Sequence, residues 1–336
     1  MNDYHARFGN HPWALLLVSL VAWCGPMAGA YAIVDAKSRA NNNAPTDGSP
    51  WTSVGRVNCC SGVYLGAGWV LTAWHVGAGN ATFGGTLFPW DGSSLRLTNS
   101  DGSNTDMVMF RLRTLPPLPR MSLATTTPAA SSQVDLIGCG HIAGSAQTNI
   151  GAYTGFYWSP NQLKSWGNNK VDPGGTTIIN AGLGNVTIFS TSFSSSRQTS
   201  DEAQAAAGDS GGGVFQKNGS AWQLVGMLNA IGTLANQPSG TAVFNNLTYS
   251  ADIATYRAQI VARIAATLPA LSIKRSGANV MVCWPDTGIT YSLWRNHNLS
   301  TTNWVPLAPA LALTNGQFCA LLPATNTAAF FRLQKQ

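Results

Sequence analysis

The chain has 336 residues, of which 45% are hydrophobic and only 10% charged, with a formal net charge of +6. That length exceeds one average domain, and the apolar share is ample for a large core. The positive excess lies mainly in the last 66 residues, as scattered side chains (five basic against one acidic), and no basic run or stripe argues for nucleic acid as a partner. Thirty-five glycines among frequent Ser, Thr and Asn point to many short strands joined by turns, an all-β class.

Residues 1–32 read as a signal peptide. Arg7 opens a weakly charged start, Trp13 to Trp23 forms the apolar centre, and Ala28-Gly29-Ala30 and Ala30-Tyr31-Ala32 both fit a cleavage site. The apolar run is short for a membrane span, so export rather than anchoring is expected. Cys24 does not make a lipoprotein signal, because the bulky Trp23 precedes it. The mature chain is therefore expected outside the cell or at its surface, where disulfides are the default.

From Trp51 to about Asp135, short apolar runs alternate with Gly, Ser, Asn and Asp turns: Val54–Val57, Val63–Leu65, Trp69–Ala73 and Met107–Leu112. A second set begins at Val134 and continues through Thr176–Ile179, Val186–Ser190, Gly213–Phe215 and Trp222–Leu228. Each set has the pattern of an antiparallel barrel. Ile253, Tyr256, Ile260 and Ile264 recur at helical spacing, which predicts one amphipathic helix over 252–264, capped by Ser250 or a neighbour. Beyond Leu271 five short strands read as a separate small β-sandwich. Its Trp284, Tyr291, Trp294 and Trp304 serve either as a core or as a platform for polysaccharide or the cell surface. The expected domains are 33–267 and 271–336, acting as a monomer.

Three stretches carry chemistry. Gly68-Trp69-Val70-Leu71-Thr72-Ala73-Trp74-His75 delivers a histidine at the end of an apolar strand. Thr105-Asp106-Met107-Val108-Met109-Phe110 places an aspartate at the mouth of another. Gly208-Asp209-Ser210-Gly211-Gly212-Gly213 sets a serine in a glycine-rich turn. A serine hydroxyl becomes a nucleophile only with a base and an orienting acid, so His75, Asp106 and Ser210 are the candidate catalytic residues. The amides of Gly208 and Ser210 are the candidate oxyanion hole. Asp91, Asp101 and Asp135 compete with Asp106 for the acid's role, and His141 and His297 are the other histidines of the mature chain.

With His75, Asp106 and Ser210 in that order and in these contexts, roughly residues 51–267 resemble the trypsin/chymotrypsin-like serine endopeptidases. The resemblance implies two six-stranded antiparallel β-barrels with the triad in their cleft and a C-terminal helix. It implies hydrolysis of a protein or peptide substrate through an acyl-enzyme. It also implies that an Ile33-Val34 terminus, if cleavage freed one, would insert beside Asp209, but Asp35-Ala36 departs from the family's glycines there. The simpler expectation is that Ile33-Val34 begins a strand while internal hydrogen bonds hold Asp209. The family's primary-pocket position, six residues before the serine, is Gln204, with Asp201 and Glu202 as possible substitutes, and the usual Ser-Trp-Gly wall is replaced by Asn229, Ala230 and Ile231. These four pocket residues predict a taste for small or medium apolar side chains. The rival reading is a non-catalytic binding or adhesion protein on a protease fold. A secreted esterase is disfavoured, since neither its usual Gly-x-Ser-x-Gly elbow nor its Ser-Asp-His order is present.

Cys283 and Cys319 are the only cysteines of the terminal module and are expected to pair. The family's bridge beside the histidine is absent, because Val76 follows His75, which leaves Cys59 or Cys60 to pair with Cys139. No CxxC, HExxH, EF-hand or phosphate loop occurs, so neither metal nor cofactor is expected.

Overall fold

The computed structural model describes residues 16–19, 33–37, 41–267, 269–285, 290–314, 317–324 and 328–335. Apart from Leu16–Ser19 the expected signal peptide lies outside them, as do the expected turns at 286–288 and 315–316. Two compact units divide at Ile264 and Ala265.

In the larger unit the first antiparallel sheet comprises β1 (Val54–Val57), β2 (Cys60–Gly66), β3 (Trp69–Ala73), β4 (Ala81–Phe83), β5 (Thr86–Phe88), β6 (Trp90–Thr98) and β7 (Asn104–Leu112), in the order β5-β4-β1-β2-β3-β7-β6. The second contains β8 (Gln133–Gly138), β9 (Ser165–Lys170), β10 (Thr177–Asn180), β11 (Asn185–Ser192), β12 (Gly213–Asn218), β13 (Ala221–Thr233) and β14 (Leu247–Asp252), in the order β9-β8-β12-β13-β14-β11-β10. Each main path has seven strands, one more than expected for each barrel. An eighth strand, Leu16–Ser19, runs antiparallel along β13, with Ser19 opposite Ala230 and Leu16 opposite Thr233.

Every residue of β2 and β3 is buried, so these strands read as continuous apolar runs rather than as alternating ones. Ser61 and Thr72 are polar exceptions, and the Thr72 hydroxyl donates to Ser61 O at 2.7 Å. The helix α1 (Ile253–Ala265) follows β14 and buries Ile253, Tyr256, Ile260 and Ile264, as its spacing predicts. Its cap is Asp252, a neighbour of Ser250: Asp252 Oδ2 accepts from Thr255 N at 3.0 Å and from the Thr255 hydroxyl at 2.7 Å.

The smaller unit pairs β15 (Ser272–Ser276), β16 (Asn279–Pro285), β19 (Leu311–Thr314) and β20 (Gln317–Pro323) in the order β15-β16-β20-β19. A second sheet has the order β18-β17-β21, from β17 (Tyr291–Asn296), β18 (Val305–Leu307) and β21 (Phe330–Lys335). Val282, Trp284, Leu293 and Ala320 are its buried centre. Trp284 is thus a core residue, whereas the half-buried Trp294 and Trp304 flank Arg332, whose guanidinium carbon lies 5.5 and 4.5 Å from their rings. Cys283 and Cys319, opposite one another in β16 and β20, form a disulfide.

Candidate active site

The ladder between β3 and β7 assembles half of the site. Ala73 pairs with Met107, so the next residues on each strand meet beyond the last rung. Trp74 N donates to Asp106 O at 3.2 Å and His75 N to Asp106 Oδ1 at 3.0 Å. His75 Nδ1 then lies 2.7 Å from Asp106 Oδ2, and His75 Nε2 lies 2.8 Å from Ser210 Oγ. The three candidates therefore form one continuous chain, with Ser210 supplied by the other sheet.

The other acids are engaged elsewhere. Asp91 faces Arg111 at 3.9 Å, Asp101 is exposed and bonded to Ser103, and Asp135 is buried on β8 itself. His141 Nδ1 meets Ser159 O at 2.7 Å, and His297 Nδ1 meets Ala328 O at 2.8 Å.

The nucleophile's turn needs glycine at two positions. Gly208 has φ +90° and Gly211 φ +83°, and a Cβ on Gly211 would stand 2.2 Å from Ser61 O. His141 N donates to Ala207 O at 2.9 Å. Because the peptide is trans, this turns the Gly208 N–H away from His141. Neither Gly208 N nor Ser210 N finds an acceptor among the described residues, so both remain available to an oxyanion.

Behind the serine, Asp209 is fully buried and accepts three backbone N–H groups: Ala206 at 2.8 Å, Gly140 at 2.8 Å and Ile33 at 3.1 Å. Burial outweighs these donors and pushes its carboxyl up to about 7. Internal bonds do hold Asp209, but Ile33, expected only to begin a strand, is one of the donors. The strand itself is Val34–Asp35, paired with Ala203–Gln204.

The pocket candidates are placed differently from expectation. Asn229 turns away from any pocket wall: its Nδ2 donates to Asp106 Oδ2 at 3.0 Å and to Asp106 O at 3.3 Å. Gln204 is buried, with Nε2 3.3 Å from Asn246 Oδ1. Ala230 and Ile231 are buried on β13, Ile231 in the cluster that contains Ile33 and Leu228. Glu202 accepts from Ser194 N and from the amide and hydroxyl of Thr199, which leaves no carboxylate free for a basic substrate side chain there.

The cysteine expectation also changes. Cys60 and Cys139 are free and buried, while Cys59 is disulfide-bonded. Burial pushes the Cys60 thiol up to about 12 and raises that of Cys139, so both stay protonated and chemically quiet. Among the described residues no three metal-ligating side chains come together.

The trypsin family model matches residues 38–254, well over half of the chain. The chain belongs to the trypsin family. Among solved structures, neuropsin, a serine protease expressed in the limbic system of mouse brain, is 18% identical, covering 67% of this chain and 98% of its own, with a TM-score of 0.43. The inactive form of Rv3671c from M. tuberculosis H37Rv is 16% identical, covering 68% of this chain and 94% of its own, with a TM-score of 0.40. No curated protein matches the chain.

Two supporting residues have no local signature in the sequence. Asn229 lies within the largely apolar strand β13 like any other polar residue. The His141 backbone acts through Ala207, 66 residues away. Only the register of the folded sheets gives them a role.

Proposed function

We propose that this trypsin-family protein is a secreted serine endopeptidase. The observation that carries the reading is the chain of contacts from Asp106 through His75 to Ser210, at 2.7 and 2.8 Å. Ser210 Oγ attacks the peptide carbonyl as His75 Nε2 takes its proton, and Asp106 stabilises the imidazolium. The free N–H groups of Gly208 and Ser210 receive the oxyanion, each contributing about 10²–10³ in rate. His75 then returns the proton to the leaving amine, and water releases the acyl group by the same steps.

The substrate side chain expected before the cleaved bond is small or medium and apolar. Support comes from the neutral Gln204 turned onto Asn246 and from the engagement of Glu202 within its own loop. Export is supported by the leader-like first 32 residues and by the Cys283–Cys319 bridge.

Labelling with a fluorophosphonate probe tests the reading. The wild-type protein should label at Ser210 and cleave peptides, and Ser210→Ala should abolish labelling and lower kcat about 10⁶-fold. A folded protein that neither labels nor cleaves would support a binding role instead. In a peptide library, rapid cleavage after arginine with none after alanine or valine would reject the proposed specificity.

A further inference from the structure

The oxyanion donors lie in two peptide planes, Gly208 N in Ala207–Gly208 and Ser210 N in Asp209–Ser210, and the Gly208–Asp209 peptide joins them. Their direction depends on where the neighbouring carbonyls are tied. Ala207 O is held by His141 N at 2.9 Å, and Asp209 O by Gly212 N at 2.8 Å. The other two carbonyls, those of Gly208 and Ser210, are both held by Ser61, a fully buried residue of β2 on the opposite sheet.

Every polar atom of Ser61 is engaged. Its N–H donates to Ser210 O at 3.0 Å, and its hydroxyl donates to Gly208 O at 3.0 Å. The same hydroxyl oxygen accepts from Cys139 N at 2.8 Å, and Ser61 O accepts from Thr72 Oγ1 at 2.7 Å. The Cys139 N–H occupies one side of the hydroxyl oxygen and so aims its proton at Gly208 O. Within the turn the Gly208–Asp209 plane is held only at its N–H end, where Asp209 N donates to Ala206 O at 3.1 Å. A glycine at φ +90° has no side chain to resist rotation, so the Ser61 hydroxyl is what grips the carbonyl end of that plane. An alanine or glycine at residue 61 would keep the N–H bond to Ser210 but lose that grip.

We propose that Ser61 is a positioning residue for the oxyanion hole. Its hydroxyl, set by the Cys139 amide, fixes the Gly208–Asp209 peptide so that the Gly208 and Ser210 N–H groups converge on one point. The role rests on the endopeptidase reading above and adds to it a contact made across the two sheets. Substrate binding in the ground state does not require that convergence, whereas a tetrahedral oxyanion does.

Ser61→Ala and Ser61→Gly, made in the full chain, test the assignment against wild type and Ser210→Ala. Both variants should keep KM within about twofold and lose about tenfold in kcat, the worth of one well-made hydrogen bond. Affinity for a peptidyl aldehyde, which forms a tetrahedral adduct on Ser210, should fall by the same factor. Affinity for the product peptide should not change. Unchanged kcat in either folded variant overturns the assignment, as does a rise in KM alone or an aldehyde affinity equal to wild type. A packing defect would differ between the two substitutions, so equal losses tie the effect to the hydroxyl, and a loss in only one of them overturns it. Failure of the wild-type chain itself to label or turn over would remove the endopeptidase reading, a separate outcome.

Discussion

Two aspartates are buried close to Ser210, and their surroundings differ in kind. Asp106 accepts from the His75 amide and the Asn229 side chain, and it faces an imidazole able to carry positive charge. Asp209 is ringed by three backbone amides, from Ala206, Gly140 and Ile33, and every one is neutral. Burial therefore pushes the Asp209 carboxyl up to about 7. The contrast teaches that equal numbers of donors do not make equal sites. A carboxylate facing a group that becomes charged during reaction acts on the transition state. One enclosed by neutral amides holds a loop in place, and the attraction of Arg56 does not offset its burial.

The sharpest way to break this comparison is to remove the charge at Asp106 alone. Asp106→Asn should keep the fold and lower kcat by about 10⁴, because an amide facing His75 Nδ1 favours the wrong tautomer. A loss below tenfold in a peptide assay would show that Asp106 has no privileged role. Supplying a charge to Asp209 is the converse experiment. Ile33 sits at φ +31°, which a β-branched residue avoids, and its N–H already points at Asp209. A chain beginning at Ile33 would place an α-ammonium there, remove the φ constraint, and free the β13 edge that Leu16–Ser19 covers. It should turn over at least about tenfold faster than the full chain, since one pKa unit of stabilised carboxylate corresponds to a factor of ten. Equal rates would show that Asp209 needs no counter-charge. A smaller effect belongs to Asn229→Ala, which removes one donor from Asp106 but not its charge. About a tenfold fall in kcat is expected, with no shift in peptide-library specificity, because the side chain faces the acid and not a pocket.

How much of this was legible in the sequence follows from how local each signal is. His75 and Asp106 each end an apolar run, and Ser210 sits among glycines, so each carries its chemistry in its own neighbours. The β3–β7 ladder does the rest, since pairing Ala73 with Met107 brings residues 75 and 106 together. The roles of Asn229 and Ser61 depend on strands distant in sequence crossing at a given register, which no window of residues encodes. Gln204 was assigned by counting back from the serine, yet its side chain is directed by Asn246, 42 residues downstream. The helix cap, expected at Ser250 or a neighbour, is Asp252, whose carboxylate accepts from both the amide and the hydroxyl of Thr255. Cys59 or Cys60 reads as a partner for Cys139 when counted, but the fold leaves the Cys60 and Cys139 thiols free.

The weakest effect distinguishes the two aspartates by stability rather than by rate. A buried carboxyl whose folded value lies above its usual 3.8 binds its proton more tightly when folded. Its stabilising contribution is complete below about pH 4 and is lost as pH rises through about 7. The full chain should therefore lose a few degrees of Tm between pH 5 and 8 on account of Asp209. Asp135, pushed up to about 8 by burial, slopes in the same direction, so the informative quantity is the difference between wild type and Asp209→Asn. The variant should show the shallower slope. In a chain beginning at Ile33 the ammonium would pull the Asp209 carboxyl down, and the same substitution should then no longer flatten the profile. Parallel profiles for the full-length pair would mean that the three amides hold Asp209 ionised without help, and the contrast with Asp106 would be lost.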